Sequence, residues 1–257
     1  MELIEAYGYG ALGIAAVVIC SVLCVCSVRK WKKGLKGQDQ LEVCGHYFSA
    51  VGTLYAVILG LVVVDSASKF NEARINTINE VNAIGEVYAL AETMPVKNQI
   101  ELRSAIQRYV DHAGNEGWRN LQKGIVDVAE KAIFDEIIVS ARSIEPRTEN
   151  QKALFPVMIE SLVNASENRQ SRVNKEHYEL PNIEWFSLIT GGLATIGFTF
   201  FFTIESLVAQ AVMTAMVAFV LSLNLYIAYL YDTPYSGALV VKNTPFLNLK
   251  DYINLHR

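Results

Sequence analysis

Four long runs of apolar residues alternate with polar segments along the chain. They cover about residues 11–28, 47–64, 183–204 and 207–231. As a helix, each run is long enough to cross the hydrocarbon core of a bilayer, which is about 30 Å thick. The pattern therefore predicts an all-α membrane protein with four spans. Glu205 and Ser206 form a minimal turn between the last two spans, which we expect to be a tight hairpin.

The second run continues into a polar stretch without a proline or a turn signal. Within that stretch, apolar residues recur at a spacing near three and a half, which is typical of a helix with one buried face. These residues are Ile75, Ile78, Val81, Val87 and Leu90. We therefore predict one long helix that crosses the membrane and continues into water to about Thr93, where Pro95 ends it.

Residues 65–181 form a polar insert between the second and third spans. After the long helix, apolar periodicity predicts three more helices, over about 97–118, 126–143 and 150–177. The expected core face of the second of these is Val128, Ile133, Ile137 and Ile138. The carboxylates of the insert lie mostly opposite such faces, which predicts a helical bundle with a solvated acidic surface. The tail, residues 232–257, starts with a turn and is then polar, so no element is predicted there.

Composition agrees with a membrane protein that carries one mildly acidic extramembrane part. Hydrophobic residues make up 52% of the 257 residues, and the insert holds 14 Lys and Arg against 18 Asp and Glu. Basic faces with interleaved aromatic residues are missing from the sequence, so it does not predict nucleic-acid binding. It also lacks nucleophile, phosphate-loop and metal-ligand motifs, so neither an enzyme, a cofactor nor a metal is predicted. The four histidines, His46, His112, His177 and His256, are interpreted as isolated surface or interfacial residues.

The four cysteines lie near the membrane rather than in the insert. Cys20 and Cys24 share one helical face, Cys26 points elsewhere, and Cys44 precedes the second span. Because no histidine or acid accompanies them, small packing residues are a better interpretation than metal ligands.

The densest basic cluster in the chain follows the first span. Arg29, Lys30, Lys32, Lys33 and Lys36 fall within eight residues. Such a cluster can bind anionic lipid or nucleic acid, but in a short loop between spans it is typically a topology signal. The positive-inside rule then predicts a cytoplasmic loop over residues 29–46, with the insert and both termini on the opposite side.

The second span carries a stripe that has two interpretations. Thr53, Val57, Leu61 and Asp65, the span-two stripe, recur every four residues and therefore follow one side of the helix. Around the axis of an oligomer, the stripe would form a narrow apolar passage closed by a ring of carboxylates. Apolar constrictions gate by dewetting, and acidic rings favour cations. Alternatively, the stripe packs against a neighbouring span and Asp65 ends it at the membrane interface.

Several stretches together resemble the bacterial bestrophin-like family. They are LYAVILGLVVV, KFNEARINTINEVNAIGEVYAL, ENRQSRV, LPNIEW, TGGLATIGF and YDTPYSG, and the resemblance extends over about residues 29–237. It implies a four-span bacterial inner-membrane protein with a helical insert between spans two and three. The family-motif positions, with structural roles, would be Gly60, Glu72, Ala73, Arg74, Arg169, Arg172, Pro181, Gly191, Gly192, Asp232 and Pro234.

The resemblance also links the chain distantly to bestrophins, which are pentameric anion channels lined by their second span. It implies a homo-oligomer, by analogy a pentamer, in which Thr53, Val57 and Leu61 constrict a pore for inorganic ions. Leu61 stands where bestrophins usually have Phe, Val62 stands where bacterial members usually have Arg, and Asp65 disfavours anions. Bestrophins also place their insert in the cytoplasm, which is opposite to the orientation that the positive-inside rule predicts for this chain.

Two functions remain open at this level. The first is an oligomeric ion channel lined by span two, with an acidic mouth that favours cations over chloride. The second is a membrane-anchored sensor or interaction protein whose insert binds a partner and which has no pore. The two differ in one requirement, because a channel of this kind needs a ring of subunits.

Overall fold

Helix α2 runs without interruption from Asp39 to Ala91, which confirms the predicted long helix. In this computed structural model, residues 2–31, 39–174, 178–200, 202, 206–237 and 239–255 are described. Residues 32–38 of the basic loop, His177, Glu205 and His256 lie outside them. As predicted, α2 ends before Pro95, which is the N-cap of the next helix.

The described residues are almost entirely helical and contain no strand. Besides α2, the helices are α1 (Glu2–Trp31), α3 (Val96–His112), a π-helix (Ala113–Gly117), α4 (Trp118–Gln122), α5 (Val128–Arg142), α6 (Glu149–Val173), α7 (Asn182–Thr199), α8 (Leu207–Asp232) and α9 (Thr244–Leu255). Side chains cap the N-termini of several of these helices. The carboxylate of Asp127 accepts a hydrogen bond from the backbone of α5, and the Thr148 side chain and Gln151 form a capping box at α6.

The chain divides into two compact units. We call the first the membrane unit; it comprises Met1–Lys69, Glu179–Thr233 and Gly237–Leu239. We call the second the insert unit; it comprises Phe70–Tyr178, Pro234–Ser236 and Val240–Arg257.

In the membrane unit, α1 packs against α8 at a glycine. A Cβ atom on Gly10 would overlap the ring of Tyr226, so a larger residue there would displace that ring. Polar side chains link α7 and α8: the Thr214 hydroxyl lies 3.1 Å from that of Thr199, and the Gln210 amide donates to the carbonyl of Phe202. Hydrogen bonds of this kind satisfy polar groups inside a helical membrane domain.

Three segments of the described chain are long and apolar enough to cross a membrane. They are Tyr7–Trp31, Gly45–Ala91 and Leu207–Asp232. Helix α7, with 18 residues, covers most of the predicted third span but is not among them.

The insert unit is a bundle of α2, α3, α5 and α6 with one additional helix. The predicted core of its helices is correct only in part, because Ile75 and Val128 are exposed whereas Ala73, Ile84 and Phe134 are buried. The additional helix is α9, in the tail for which the sequence predicts no element. Its Phe246, Leu249 and Ile253 are buried in the same core as residues of α2 and α3.

The position of α9 bears on the number of spans. Residues before α7 and residues after α8 share one hydrophobic core in the insert unit. If α8 alone crossed the membrane between them, they would lie on opposite sides and could not pack together. Helix α7 must therefore cross as well, which gives the four spans predicted from the sequence.

Candidate functional site

The span-two stripe is exposed on the surface of the chain. Val57 is 56% exposed and Leu61 66%, and Thr53 and Asp65 are exposed too. The Thr53 hydroxyl donates to the carbonyl of Ser49 at 2.7 Å, so its own helix satisfies it. The stripe is therefore not consumed by packing against the other helices of its own chain.

The opposite face of α2 is the one that packs. Tyr55 and Leu59, 6% and 4% exposed, form a small core with Leu188 of α7. Tyr55 lies two residues from Val57, and two residues turn a helix by about 200°. The span-two stripe thus lies on the far side of α2 from α7.

Tyr55 packs against a pair of glycines in α7. Its hydroxyl donates to the carbonyl of Leu188 at 2.7 Å. A Cβ atom on Gly191 would lie 2.5 Å from the Tyr55 ring, and one on Gly192 would lie 3.0 Å from its hydroxyl oxygen. Gly191 and Gly192 therefore accommodate Tyr55 of α2, and the span-two stripe on the opposite face points away from α7.

Asp65, the charged end of the stripe, has a basic neighbour that the sequence pattern did not single out. The Lys69 ammonium group lies 3.0 Å from the Asp65 carboxylate, one helical turn away. The Asp65 side chain is 54% exposed and that of Lys69 25%. Since exposed pairs of this kind are weak, Asp65 keeps an accessible carboxylate whose charge is partly offset.

The remaining motif positions of α2 differ in environment. Gly60 has open space around it, since a Cβ atom added there would meet nothing within 4 Å. Glu72 and Arg74 are exposed, whereas Ala73 is fully buried. The Ala73 carbonyl accepts a hydrogen bond from the Tyr235 hydroxyl at 3.1 Å, so the motif joins α2 to a residue that follows span four.

Arg172 is the centre of a buried ionic network in the insert unit. Its guanidinium donates to Glu80 at 2.6 Å and to Glu130 at 2.8 Å, and Arg169 also donates to Glu130, at 3.1 Å. The Tyr109 hydroxyl donates to Glu80. The expectation that the insert carboxylates lie on a solvated face is wrong for Glu80 and Glu130, which are buried because these cations and donors accompany them.

The electrostatics of this network keep Arg172 charged and the Tyr109 hydroxyl protonated. Burial alone would lower the pKa of Arg172, but the carboxylates of Glu80 and Glu130 outweigh burial and raise it. Burial, together with the charge of Glu80, raises the pKa of Tyr109 well above its usual range, so its hydroxyl remains a donor. The network therefore ties α2, α3, α5 and α6 together through a charged guanidinium and a hydroxyl donor.

Three further motif residues lie around the last two spans. Pro181 is the N-cap of α7. Asp232, at the end of α8, accepts from the Leu180 backbone at 2.6 Å and from the Trp185 indole at 3.1 Å, and so joins the two ends of the hairpin. In the insert unit, the Pro234 carbonyl accepts from the backbone of Val241 at 2.8 Å.

His112 is not an isolated surface residue, contrary to the sequence interpretation. Its Nε2 atom lies 3.0 Å from the Asp127 carboxylate, and Asn120 donates to the same oxygen at 2.9 Å. Partial burial alone would raise the pKa of Asp127, but hydrogen bonds from the Glu130 backbone, Asn120 and His112 outweigh it and lower the pKa. Among the described residues, no three His, Cys, Asp or Glu side chains are grouped to hold a metal ion.

Comparisons with known proteins agree with this architecture. A crystal structure of a bacterial bestrophin homologue from Klebsiella pneumoniae, carrying a point mutation, superimposes with a TM-score of 0.72 and 12% identity over 95% of this chain and 98% of that chain. A second mutant of such a homologue gives a TM-score of 0.68 and 11% identity over 98% of each chain. A mutant described as a membrane protein gives 0.70 and 11% over 95% of this chain and 97% of that chain.

At these identities, the likeness to solved structures concerns the fold. No curated protein sequence matches the chain significantly. The family model described as a bestrophin-like domain matches residues 15–246, which is most of the chain. The protein is therefore a member of the bestrophin-like family.

Proposed function

We propose that this protein is a homo-oligomeric ion channel of the bacterial inner membrane, with α2 lining the pore. Thr53, Val57 and Leu61 form the constriction, and Asp65 forms a charged mouth. By analogy with bestrophins, the oligomer is a pentamer. The observation that carries the proposal is the exposure of the span-two stripe on the side of α2 away from α7.

Exposure supports the pore interpretation of the span-two stripe. If the stripe packed against another span of the same chain, Val57 and Leu61 would be buried, but both are more than half exposed. In a ring of subunits, these side chains face a common axis. Valine and leucine at a narrow point exclude water when the passage is closed, so small displacements of α2 open and close it.

Cations are the favoured ions. Asp65 retains an accessible carboxylate beside Lys69, and in a ring of subunits the Asp65 carboxylates would surround the mouth of the pore. A channel with this lining favours cations, unlike the anion-selective bestrophins.

The test is a planar-bilayer recording of the purified protein under a salt gradient. Leu61→Ala widens the constriction and should raise the current, and Asp65→Lys should shift the reversal potential toward anion permeability. The control for the first variant is Leu193→Ala, since Leu193 of α7 is 65% exposed and Leu61 66%, but Leu193 lies outside α2. Its current should equal that of the unmodified protein.

Two results would contradict the proposal. One is a current that neither Leu61→Ala nor Asp65→Lys changes. The other is a monodisperse monomer in mild detergent, because a single copy of α2 cannot surround a pore. The second result would favour the membrane-anchored sensor or interaction protein.

A further inference from the structure

The insert unit contains a polar cleft that the channel does not use. The cleft has a volume of about 430 Å³ and lies between the π-helix with α4 on one side and the segment before α9 on the other. This volume falls within the range of small-molecule sites. Its polar lining is Asn115, Arg119, Gln122, Lys242 and Asn243.

The charge of the lining is of one sign. Arg119 and Lys242 contribute two cations, and no Asp or Glu is among the described lining residues. Two other basic side chains of the insert unit pair with carboxylates: Arg108 with Glu136 and Lys250 with Asp111. A cleft with two cations and no carboxylate in its wall is complementary to an anion.

The donors of the cleft are available. Within the described part of the chain, the side chains of Arg119, Gln122 and Lys242 make no hydrogen bond or ion pair. A guanidinium offers a planar fork of N–H donors, an ammonium group three donors and an amide two. This combination suits a tetrahedral oxyanion, since arginine binds phosphate oxygens in a bidentate manner.

The two walls are held at a fixed separation without a ligand. The Asn243 amide donates to the Gly114 carbonyl across the cleft at 2.7 Å. Behind it, Gly114 packs closely on α9, since a Cβ atom there would lie 3.0 Å from Cβ of Phe246. Trp118 and Val241 are buried beside the cleft and give it a firm apolar wall. A ligand would therefore bind a preformed site, and little free energy would be spent on ordering it.

We propose that this cleft binds a phosphate-bearing anion. Arg119 and Lys242 hold the phosphate oxygens, Gln122 adds a neutral donor, and the apolar wall accommodates a small organic group. The same chemistry fits a soluble phosphate compound or the headgroup of an anionic lipid. The site lies within the insert unit alone, and the proposal does not depend on ion conduction.

The experiment uses the purified full-length protein in neutral detergent and has two arms. In the first, pyrophosphate is titrated calorimetrically. In the second, short-chain phosphatidic acid is titrated, with phosphatidylcholine of equal chain length as the neutral reference. The double variant Arg119→Ala, Lys242→Ala should weaken binding at least about tenfold, because charged hydrogen bonds are lost. The control is Lys123→Ala, an exposed lysine next to α4 that does not line the cleft.

Binding that falls in the double variant and persists in the Lys123→Ala control supports the site. The arm in which it occurs identifies the source of the phosphate. Since both substituted residues are exposed, the double variant should elute and unfold like the unmodified protein, so a loss of binding is not a loss of fold. Absence of binding in both arms, or binding that the double variant leaves unchanged, overturns the proposal.

Discussion

The hydroxyl group of Tyr55 donates a hydrogen bond of 2.7 Å to the backbone carbonyl of Leu188. The contact joins α2 to α7, and the Tyr55 ring fills the space that Gly191 leaves open. Because Tyr55 and Leu61 belong to one helix, anchoring the first residue fixes the direction of the second. The packing of Tyr55 against Gly191 and Gly192 thus determines how α2 is rotated about its own axis.

Gly191→Ala should disturb this anchor. The new methyl group would lie 2.5 Å from the Tyr55 ring, which is buried and has to move. Crowding of this kind costs about 1–3 kcal/mol of stability. We expect a lower melting temperature of the protein in detergent, together with an altered current because the direction of Leu61 changes.

The control for this prediction is Gly197→Ala in the same helix. Nothing lies within 4 Å of the added methyl position there, so the melting temperature should stay the same or rise slightly. Tyr55→Phe removes the hydroxyl but keeps the ring, and should cost about 1 kcal/mol. Equal melting temperatures for the two glycine variants would contradict the anchoring role of Tyr55.

Much of this fold could be predicted from the sequence because its signals are local. Uninterrupted apolar runs and the absence of a breaker before Pro95 predict α2, and its spacing predicts the span-two stripe. The family resemblance predicts which motif positions matter, but it does not predict the residues that they contact. What Gly191 touches, for example, depends on a tyrosine 136 positions earlier in the chain, and no local pattern carries that information.

The misses have a common cause in distant partners. Glu80 looks like a surface residue by charge, but it is buried because Arg172, 92 positions later, neutralises it. Likewise, α9 has apolar residues at helical spacing, but with only 12 residues it is too short to be stable without a partner surface. Its Phe246 and Ile253 are buried because the insert bundle presents a matching groove. A hydrophobicity pattern considers only the local sequence, whereas burial in both cases depends on a partner that is distant in the sequence.

Arg172→Met should strongly destabilise the insert unit. The substitution leaves the buried carboxylates of Glu80 and Glu130 without their central cation. Breaking a buried ion pair on one side costs about 3–5 kcal/mol. Denaturant unfolding, followed by tryptophan fluorescence, measures this loss.

The matched substitution is Arg108→Met. Arg108 pairs with Glu136, but both side chains are more than half exposed, at 54% and 53%. An exposed pair contributes at most about 1 kcal/mol, so this variant should unfold close to the unmodified protein. Similar losses in the two arginine variants would show that Arg172 does not neutralise buried carboxylates.

Asp127 should make the insert unit sensitive to acid. Its folded-state pKa lies below the ordinary value of 3.8, because donors from Glu130, Asn120 and His112 favour the carboxylate over the burial that opposes it. The stabilisation is therefore complete above that ordinary value and is lost as the pH falls through the lower folded pKa. We expect the midpoint of denaturant unfolding to decrease in this acid range.

Asp127→Asn separates capping from titration. Asparagine caps a helix about as well as aspartate but does not ionise, so the variant should show a smaller decrease in acid. Asp135→Asn, which changes an exposed carboxylate in the same helix, should follow the unmodified protein. If Asp127→Asn and the unmodified protein lose stability in parallel, the Asp127 carboxylate is not the source of the acid sensitivity.

The shared core of α9 and the insert predicts the membrane topology. Phe246 is fully buried among insert residues, so the insert and the C-terminal segment must occupy the same side of the membrane. Reporters fused near Asn115 and after the last residue should therefore give the same signal, and a reporter in the basic loop after Trp31 the opposite one. By the positive-inside rule, we expect that loop to be cytoplasmic. Opposite signals for the insert and the C-terminus would refute the four-span arrangement. A cytoplasmic signal from both would instead retain the four spans and reverse the orientation, because the loop would then lie outside despite its lysines.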